Sequence, residues 1–152
     1  MTLEIGQLES LDQEECYRLL ARTALGRVGV TLGAVPAVLP VNFSLLGEDV
    51  IFRTGIDGVL MGAVDGKVVA FEADHIDVQS HEGWSVMMVG WAHRVHDRDL
   101  LETVTHLPLQ PWAPGDRDAV VQVIPRFVSG RRITHRFPAG IDAMETVERF
   151  RP

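Results

Sequence analysis

An arginine, a threonine and two glycines lie close together between residues 50 and 60. Val50–Thr54 has the pattern of a short strand, and Gly55 and Gly58 punctuate the turn that follows. A guanidinium, a hydroxyl and free backbone N–H groups near one point are what a phosphate requires. The same glycines are also typical of an ordinary turn, so this stretch alone leaves both interpretations open.

Two further groups of residues have the chemistry to contact a flat ring. Pro40 interrupts an apolar stretch that also carries Asn42, so it either protects a sheet edge or leaves backbone groups free for a heterocycle. Trp84 and Ser85 begin a long apolar stretch, where an indole and a hydroxyl can stack on a ligand and hydrogen-bond to it. The alternative for Trp84 is an indole at the rim of the core.

Motifs for metal binding or nucleophilic catalysis are missing from the sequence. The six histidines have no metal-ligand spacing such as HExxH, and there is no GxSxG, Walker or Rossmann loop. The one cysteine, Cys16, excludes an intrachain disulfide and a thiolate cluster. We therefore expect no metal site, and no side chain stands out as a catalytic acid or base.

Length and charge restrict the class of protein. At 152 residues, with 46% apolar and 23% charged residues, the chain is expected to form one domain over residues 1–152. A formal net charge of −7 argues against nucleic acid or an anionic membrane as a partner. No apolar run approaches the roughly 18–20 residues that cross a bilayer, and residues 1–4 do not resemble a signal peptide. We expect a cytoplasmic protein.

The secondary structure expected around these residues is mostly β. Asp12 and Glu15 form a capping-box pattern at the start of a helix, Leu11 and Cys16 form its hydrophobic staple, and Gly26 is the expected stop. Alternating apolar residues predict six strands and two more short helices. The strands are expected at 27–32, 37–43, 50–54, 68–74, 84–95 and 119–124, and the helices at 59–64 and 97–107. This order predicts a small, mostly antiparallel barrel.

The strand at residues 84–95 is apolar on both faces. Val86, Met88 and Gly90 alternate with Met87, Val89 and Trp91. One face of a small antiparallel barrel normally meets water, so the second apolar face needs a cover. A partner subunit supplies that cover most simply, and we expect a homodimer.

The order of short motifs along the chain resembles a known family. The series runs through Gly26-Arg27-Val28-Gly29-Val30, Pro40-Val41-Asn42-Phe43, Phe52-Arg53-Thr54-Gly55, Val69-Ala70-Phe71-Glu72, Gly83-Trp84-Ser85-Val86, Pro111-Trp112-Ala113-Pro114-Gly115 and Ser129-Gly130-Arg131-Arg132-Ile133. It is similar to the pyridoxamine 5′-phosphate oxidase-like flavin-binding proteins, in the branch with the nitroimidazole-resistance proteins, over roughly residues 10–135.

The resemblance implies a split β-barrel homodimer that binds FMN in two clefts between its subunits. It implies that Val41 and Asn42 face the isoalloxazine ring, and that Trp84 and Ser85 frame the cleft. The phosphate would be bound by Arg53, Thr54, Gly58, Val59 and Leu60. Arg131 and Arg132 would approach the flavin or a substrate from the C-terminal side.

One departure from the family pattern concerns the phosphate. Val59 stands where the family commonly has a lysine, and Asp57 adds a negative charge nearby. The lost contact and the added like charge together weaken phosphate binding by roughly 2–4 kcal/mol. Either FMN then binds weakly, or the pocket serves another ligand such as a deazaflavin.

The activity that the resemblance implies is a flavin-dependent oxidoreductase acting on a small-molecule substrate or electron donor. The arginine-histidine pattern of the true pyridoxamine phosphate oxidases is missing, so that particular activity is not expected. The alternative is a non-catalytic barrel that stores or has lost the cofactor.

Overall fold

A computed structural model describes residues 5–136 of the chain. Within this range there are seven β-strands and three short α-helices. In chain order they are β1 (Ile5–Leu11), α1 (Gln13–Leu20), β2 (Leu25–Leu32), β3 (Val35–Leu46), β4 (Asp49–Thr54), α2 (Val59–Val64), β5 (Lys67–Asp77), β6 (Glu82–Arg94), α3 (Arg98–Thr105) and β7 (Ala119–Arg136).

The strands form one antiparallel sheet that closes into a barrel. Their order is β1-β7-β4-β3-β2-β5-β6. The six strands from β7 to β6 in this order form a closed barrel, because β7 also pairs with β6. β7 reaches both neighbours because it is 18 residues long. Its first residues pair with β4 and its last residues with β1, while β6 runs along its other side. This confirms the predicted barrel.

Side chains that alternate along the strands fill the barrel interior. The largest fully buried side chains there include Phe43 and Phe71, whose rings meet edge to face with centroids 4.7 Å apart. Gly26 is part of β2 and lies against this pair, because a Cβ at residue 26 would be 2.5 Å from the Phe71 ring. The prediction that Gly26 ends the first helix is therefore wrong; α1 ends at Leu20.

A second apolar cluster lies outside the barrel, under α3. Ile51 of β4 and Val120 of β7 pack there against Val104 of α3. The helix begins at the predicted cap, since Asp97 Oδ1 accepts a hydrogen bond from Leu100 N at 2.8 Å. Ile51 and its neighbour Phe52 consequently point to opposite sides of β4.

The cap of α1 is also the predicted one, but only half of the capping box forms. Asp12 Oδ1 accepts a hydrogen bond from Glu15 N at 2.8 Å. The Glu15 carboxylate does not return to the cap; it accepts hydrogen bonds from Arg18 and Arg132 instead. This helix is thereby tied to β7.

The sequence predicted six of the seven strands and all three helices in residues 5–136. It missed β1 and the part of β7 after residue 124. Pro40 lies in the part of β3 that pairs with β2 alone, since the ladder to β4 covers only residues 43–46 of β3. This fits the predicted sheet edge. None of the helices in the described range has the length and apolarity to cross a bilayer.

Candidate functional site

Two adjoining clefts form a groove whose lining includes Trp84 and Trp112, each with an indole side chain. The larger cleft, about 540 Å³, lies between these indoles and the residues that follow α1. The smaller, about 270 Å³, extends from Trp112 to Asn42. Ala24 and Trp112 line both clefts, so we treat them as one Trp84–Trp112 groove. Its size falls within the roughly 300–1,000 Å³ of small-molecule sites.

The amide of Asn42 holds the middle of this groove together. Its Nδ2 donates to Ala24 O at 3.3 Å, and its Oδ1 accepts from Trp112 N at 2.8 Å. These are the two residues that the clefts share. Asn42 therefore fixes the loop that carries Trp112, whose side chain is 68% exposed, above the groove. Trp84, by contrast, is partly buried against the barrel core.

Charged side chains surround the larger cleft. Arg27 donates to Glu72 at 3.0 Å and lies 3.5 Å from Asp74, so two carboxylates compensate its charge. Burial, reinforced by the Asp74 carboxylate, raises the pKa of Glu72, while Arg27 opposes the rise. Arg22 is exposed, and within residues 5–136 its side chain has no hydrogen bond or ion pair. Among the described residues that line the groove, Arg22 is therefore the uncompensated arginine; His75 lines the same cleft.

Three of the residues predicted for the site meet at a smaller hollow, which shares Trp84 with the groove. Trp84, Ser85 and Arg131 line this space of about 240 Å³ together with apolar side chains. The pairing of β6 with β7 places Ser85 directly opposite Arg131. A hydroxyl and a guanidinium therefore face the same small space, next to the groove.

The residues predicted for the phosphate come together only in part, since Gly58 lies against the Thr54 hydroxyl but Arg53 does not join them. Arg53 follows Ile51 on the outer side of β4, whereas Thr54 follows Phe52 on the barrel side and is 4% exposed. Val59 is 74% exposed at the start of α2. The sequence grouped these side chains because they are adjacent along the chain, but neighbouring residues of a strand face opposite ways.

The turn itself borders an acidic hollow. Asp57, Asp116 and Asp118 line a space of about 350 Å³ with Gly55 and Gly58, and no lysine or arginine of residues 5–136 lines it. Three carboxylates repel a phosphate dianion. The residues present at this turn therefore do not fit the phosphate of a flavin nucleotide.

Three other predicted residues have mainly structural contacts. The Val41 side chain is 7% exposed and packs inside the barrel, which leaves the backbone of Val41 to face a ring. Leu60 packs against the same core. Arg132 donates to Glu15, which ties β7 to α1.

Sequence reasoning missed Arg22, Arg27, His75 and Trp112 as lining residues. Only Trp112 had a usable signal, because a bulky indole in a loop between Pro111 and Pro114 has no core position to fill. Arg22 and Arg27 lie close together in sequence, but His75 is about fifty residues away, and the pairing of β2 with β5 brings its segment to theirs.

Comparison with known proteins identifies the family. Residues 12–132 match the family model described as pyridoxamine 5′-phosphate oxidase. The uncharacterized protein Rv0080 of Mycobacterium tuberculosis is 39% identical over 132 residues, which cover 84% of this chain and 86% of the relative. The chain therefore belongs to the pyridoxamine 5′-phosphate oxidase family.

Solved structures agree with this assignment. The FAD-binding protein of Mycobacterium smegmatis is 33% identical, with a TM-score of 0.65 over 83% of this chain and 98% of that protein. The conserved protein DIP1874 of Corynebacterium diphtheriae is 30% identical, with a TM-score of 0.66 over 82% and 96% of the two chains. The fold is the split β-barrel of this family, as the resemblance implied.

Proposed function

We propose that this protein binds a flavin in the Trp84–Trp112 groove and serves as a flavin-dependent oxidoreductase. The observation that carries the proposal is the groove itself, in which two tryptophans line a space of about 540 Å³ and Asn42 fixes the loop of one of them. Membership of the family supports it, as does the likeness to the FAD-binding protein of Mycobacterium smegmatis. FMN is the cofactor that we propose first, with a deazaflavin or FAD as alternatives.

The groove has the chemistry that a tricyclic ring requires. Trp84 is held by the barrel and Trp112 by the Asn42 amide, so the two indoles offer flat apolar surfaces for stacking. Packing of the ring against them would exclude water from one face. The other face would stay open to a small-molecule substrate or electron donor.

Charged residues of the groove would tune the bound ring. A flavin supplies redox chemistry when bound, and the protein contributes orientation and electrostatics. Arg22 and His75 both line the larger cleft, and the Arg27–Asp74 pair provides a compensated charge. A cation close to an electron-rich reduced ring stabilises it relative to the oxidised ring.

We further propose that the protein is a homodimer whose subunits meet across the outer face of β6 and β7. Trp91 lies opposite Ile124 in the β6–β7 ladder, and Phe127 lies opposite Val89. Trp91, Ile124 and Phe127 are each more than 40% exposed, as is Met87. Such a continuous exposed apolar face is typical of a protein interface.

The flavin proposal is tested by identifying the small molecule that the natively purified protein releases on denaturation. Mass spectrometry is expected to find a flavin, and its mass distinguishes FMN, FAD and a deazaflavin. A titration of stripped protein with riboflavin then tests the ring site, with Trp112→Ala and Trp112→Phe as a matched pair. Loss of the indole is expected to weaken binding by roughly 1 kcal/mol, the scale of an aromatic pair.

The two variants separate stacking from a general disturbance of the loop. Trp112→Phe keeps an aromatic face and is expected to retain most of the affinity for riboflavin. Trp112→Ala has no aromatic face and is expected to bind riboflavin more weakly. Equal affinities for both variants and the wild type would place the ring elsewhere. A protein that releases no flavin and binds none would favour the non-catalytic barrel.

A further inference from the structure

The phosphate position expected from the family pattern is unsuitable in this chain. The hollow beside the turn at residues 55–58 is lined by Asp57, Asp116 and Asp118. Arg117, between the two aspartates of the loop, does not line it and donates to Ala113 O at 3.5 Å. No three His, Cys, Asp or Glu side chains within residues 5–136 are arranged to hold a metal ion that would offset this charge.

The cations nearest in sequence do not compensate for the carboxylates. Val59 occupies the position where the family commonly has a lysine. Arg53 lies on the outer side of β4, away from Thr54. Thr54 itself is covered by the turn, since a Cβ on Gly58 would be 3.9 Å from its hydroxyl oxygen. A phosphate at this turn would meet carboxylates without a convergent cation.

The Trp84–Trp112 groove differs from this hollow, because among residues 5–136 two arginines line it together with the single carboxylate of Asp74. None of the residues that line the groove also lines the acidic hollow. Arg27 is already bound by Glu72 and Asp74, but Arg22 has no partner in the described part of the chain. An exposed guanidinium beside two indoles suits a ligand that combines a flat ring with an anionic group.

We propose that Arg22 binds the anionic group of the ligand, so that this chain has moved the phosphate subsite from the turn at residues 53–60 into the groove. The ligand class is a planar aromatic ring that carries a phosphate. This inference rests on the proposed flavin function, and it assigns a role to a residue outside the family pattern. A guanidinium forms charge-assisted and often paired hydrogen bonds with phosphate oxygens.

Comparison of FMN with riboflavin isolates the phosphate, because the two share the ring. Stripped protein is titrated with each flavin, and quenching of flavin fluorescence reports binding. The variants are Arg22→Gln, Arg53→Gln and, as a control on the exposed start of α3, Arg98→Gln. Arg22→Gln is expected to weaken FMN roughly ten- to hundredfold, the range for a charged hydrogen bond, and to leave riboflavin unchanged. The other two variants are expected to bind both flavins like the wild type.

Each contrary outcome has a separate meaning. A selective loss of FMN affinity in Arg53→Gln, with none in Arg22→Gln, would return the phosphate to the turn and overturn the proposal. Equal affinity of the wild type for FMN and riboflavin would show that no anion subsite exists. If neither flavin binds, the proposed flavin function is rejected, and the proposed phosphate subsite is rejected together with it. Arg22→Lys, which keeps the charge, is expected to retain part of the FMN preference.

Discussion

Glu15 joins the first helix to the last strand through two arginines. Its carboxylate accepts two hydrogen bonds of 2.6 Å from Arg18 and another from Arg132. The Arg18 guanidinium, followed by that of Arg132, lowers the pKa of Glu15 from 4.5 to about 2. The folded protein therefore favours the charged form of this carboxylate more than the unfolded chain does.

The shifted pKa predicts how stability changes in acid. Because the pKa of Glu15 is lower in the folded protein, its charged carboxylate stabilises the fold. This contribution is fully present above pH 4.5 and is lost as the pH falls towards about 2. Glu15→Gln is expected to unfold at lower urea than the wild type at neutral pH, and the difference should shrink in acid. Glu14→Gln, in the same helical turn but with no ion pair among the described residues, serves as the control. A constant difference across the pH range would contradict the assignment.

At the residue scale, the sequence identified several groups of the candidate site but not their partners. Asn42 was expected to face the ring, yet its amide binds Ala24 and Trp112, 18 and 70 residues away. Arg53 and Thr54 were expected to act together, but their side chains face opposite sides of β4. Contacts between residues so distant in sequence depend on barrel closure, which a local pattern does not encode.

Among the elements, β6 and β7 have the longest ladder, and a bulge interrupts it. The register shifts between Val89 and Gly90, where Gly90 meets Pro125. A Cβ on Gly90 would lie 2.2 Å from the backbone oxygen of Ile124, so this position tolerates only glycine. The bulge also explains how the strand continues past Pro125, which has no N–H to donate.

We expect Gly90→Ala to destabilise the barrel because the clash involves backbone atoms that cannot rotate away. The free energy of unfolding should fall by about 1–3 kcal/mol, as for other overpacked sites. Gly62→Ala, in the middle of α2 with nothing within 4 Å of its added Cβ, should raise it by about 0.5–1 kcal/mol. Urea denaturation of both variants measures the difference. If Gly90→Ala is as stable as the wild type, the described bulge is wrong.

Element prediction succeeded where the signal was local. The caps Asp12 and Asp97 gave the starts of two helices, and alternation gave most of the strands. β1 was missed because it is an added edge strand on β7 with an exposed Leu8, so it lacks a strong apolar pattern. The second half of β7 was missed because Pro125 and a run of polar residues normally mark a loop.

For the whole molecule, the apolar outer face of β6 and β7 predicts a stable dimer in solution. Light scattering at micromolar concentration is expected to give twice the mass of the chain. Trp91→Glu introduces a charge into the middle of that face and is expected to give the monomer mass. Val78→Glu, at a residue that is 78% exposed in the turn after β5, should remain a dimer. A monomer mass for the wild type would contradict the proposal that a second subunit covers the outer face of β6 and β7.

The position of β7 in the chain has a consequence for protein synthesis. β4 and β6 are complete by residue 94, but the strand that pairs with both begins only at residue 119. On the ribosome, the nascent sheet therefore has two open edges until β7 emerges, and open edges invite pairing with other chains. The barrel closes in one late step, so a translational pause or a stop codon between residues 95 and 118 would leave an aggregation-prone sheet that chaperones must protect.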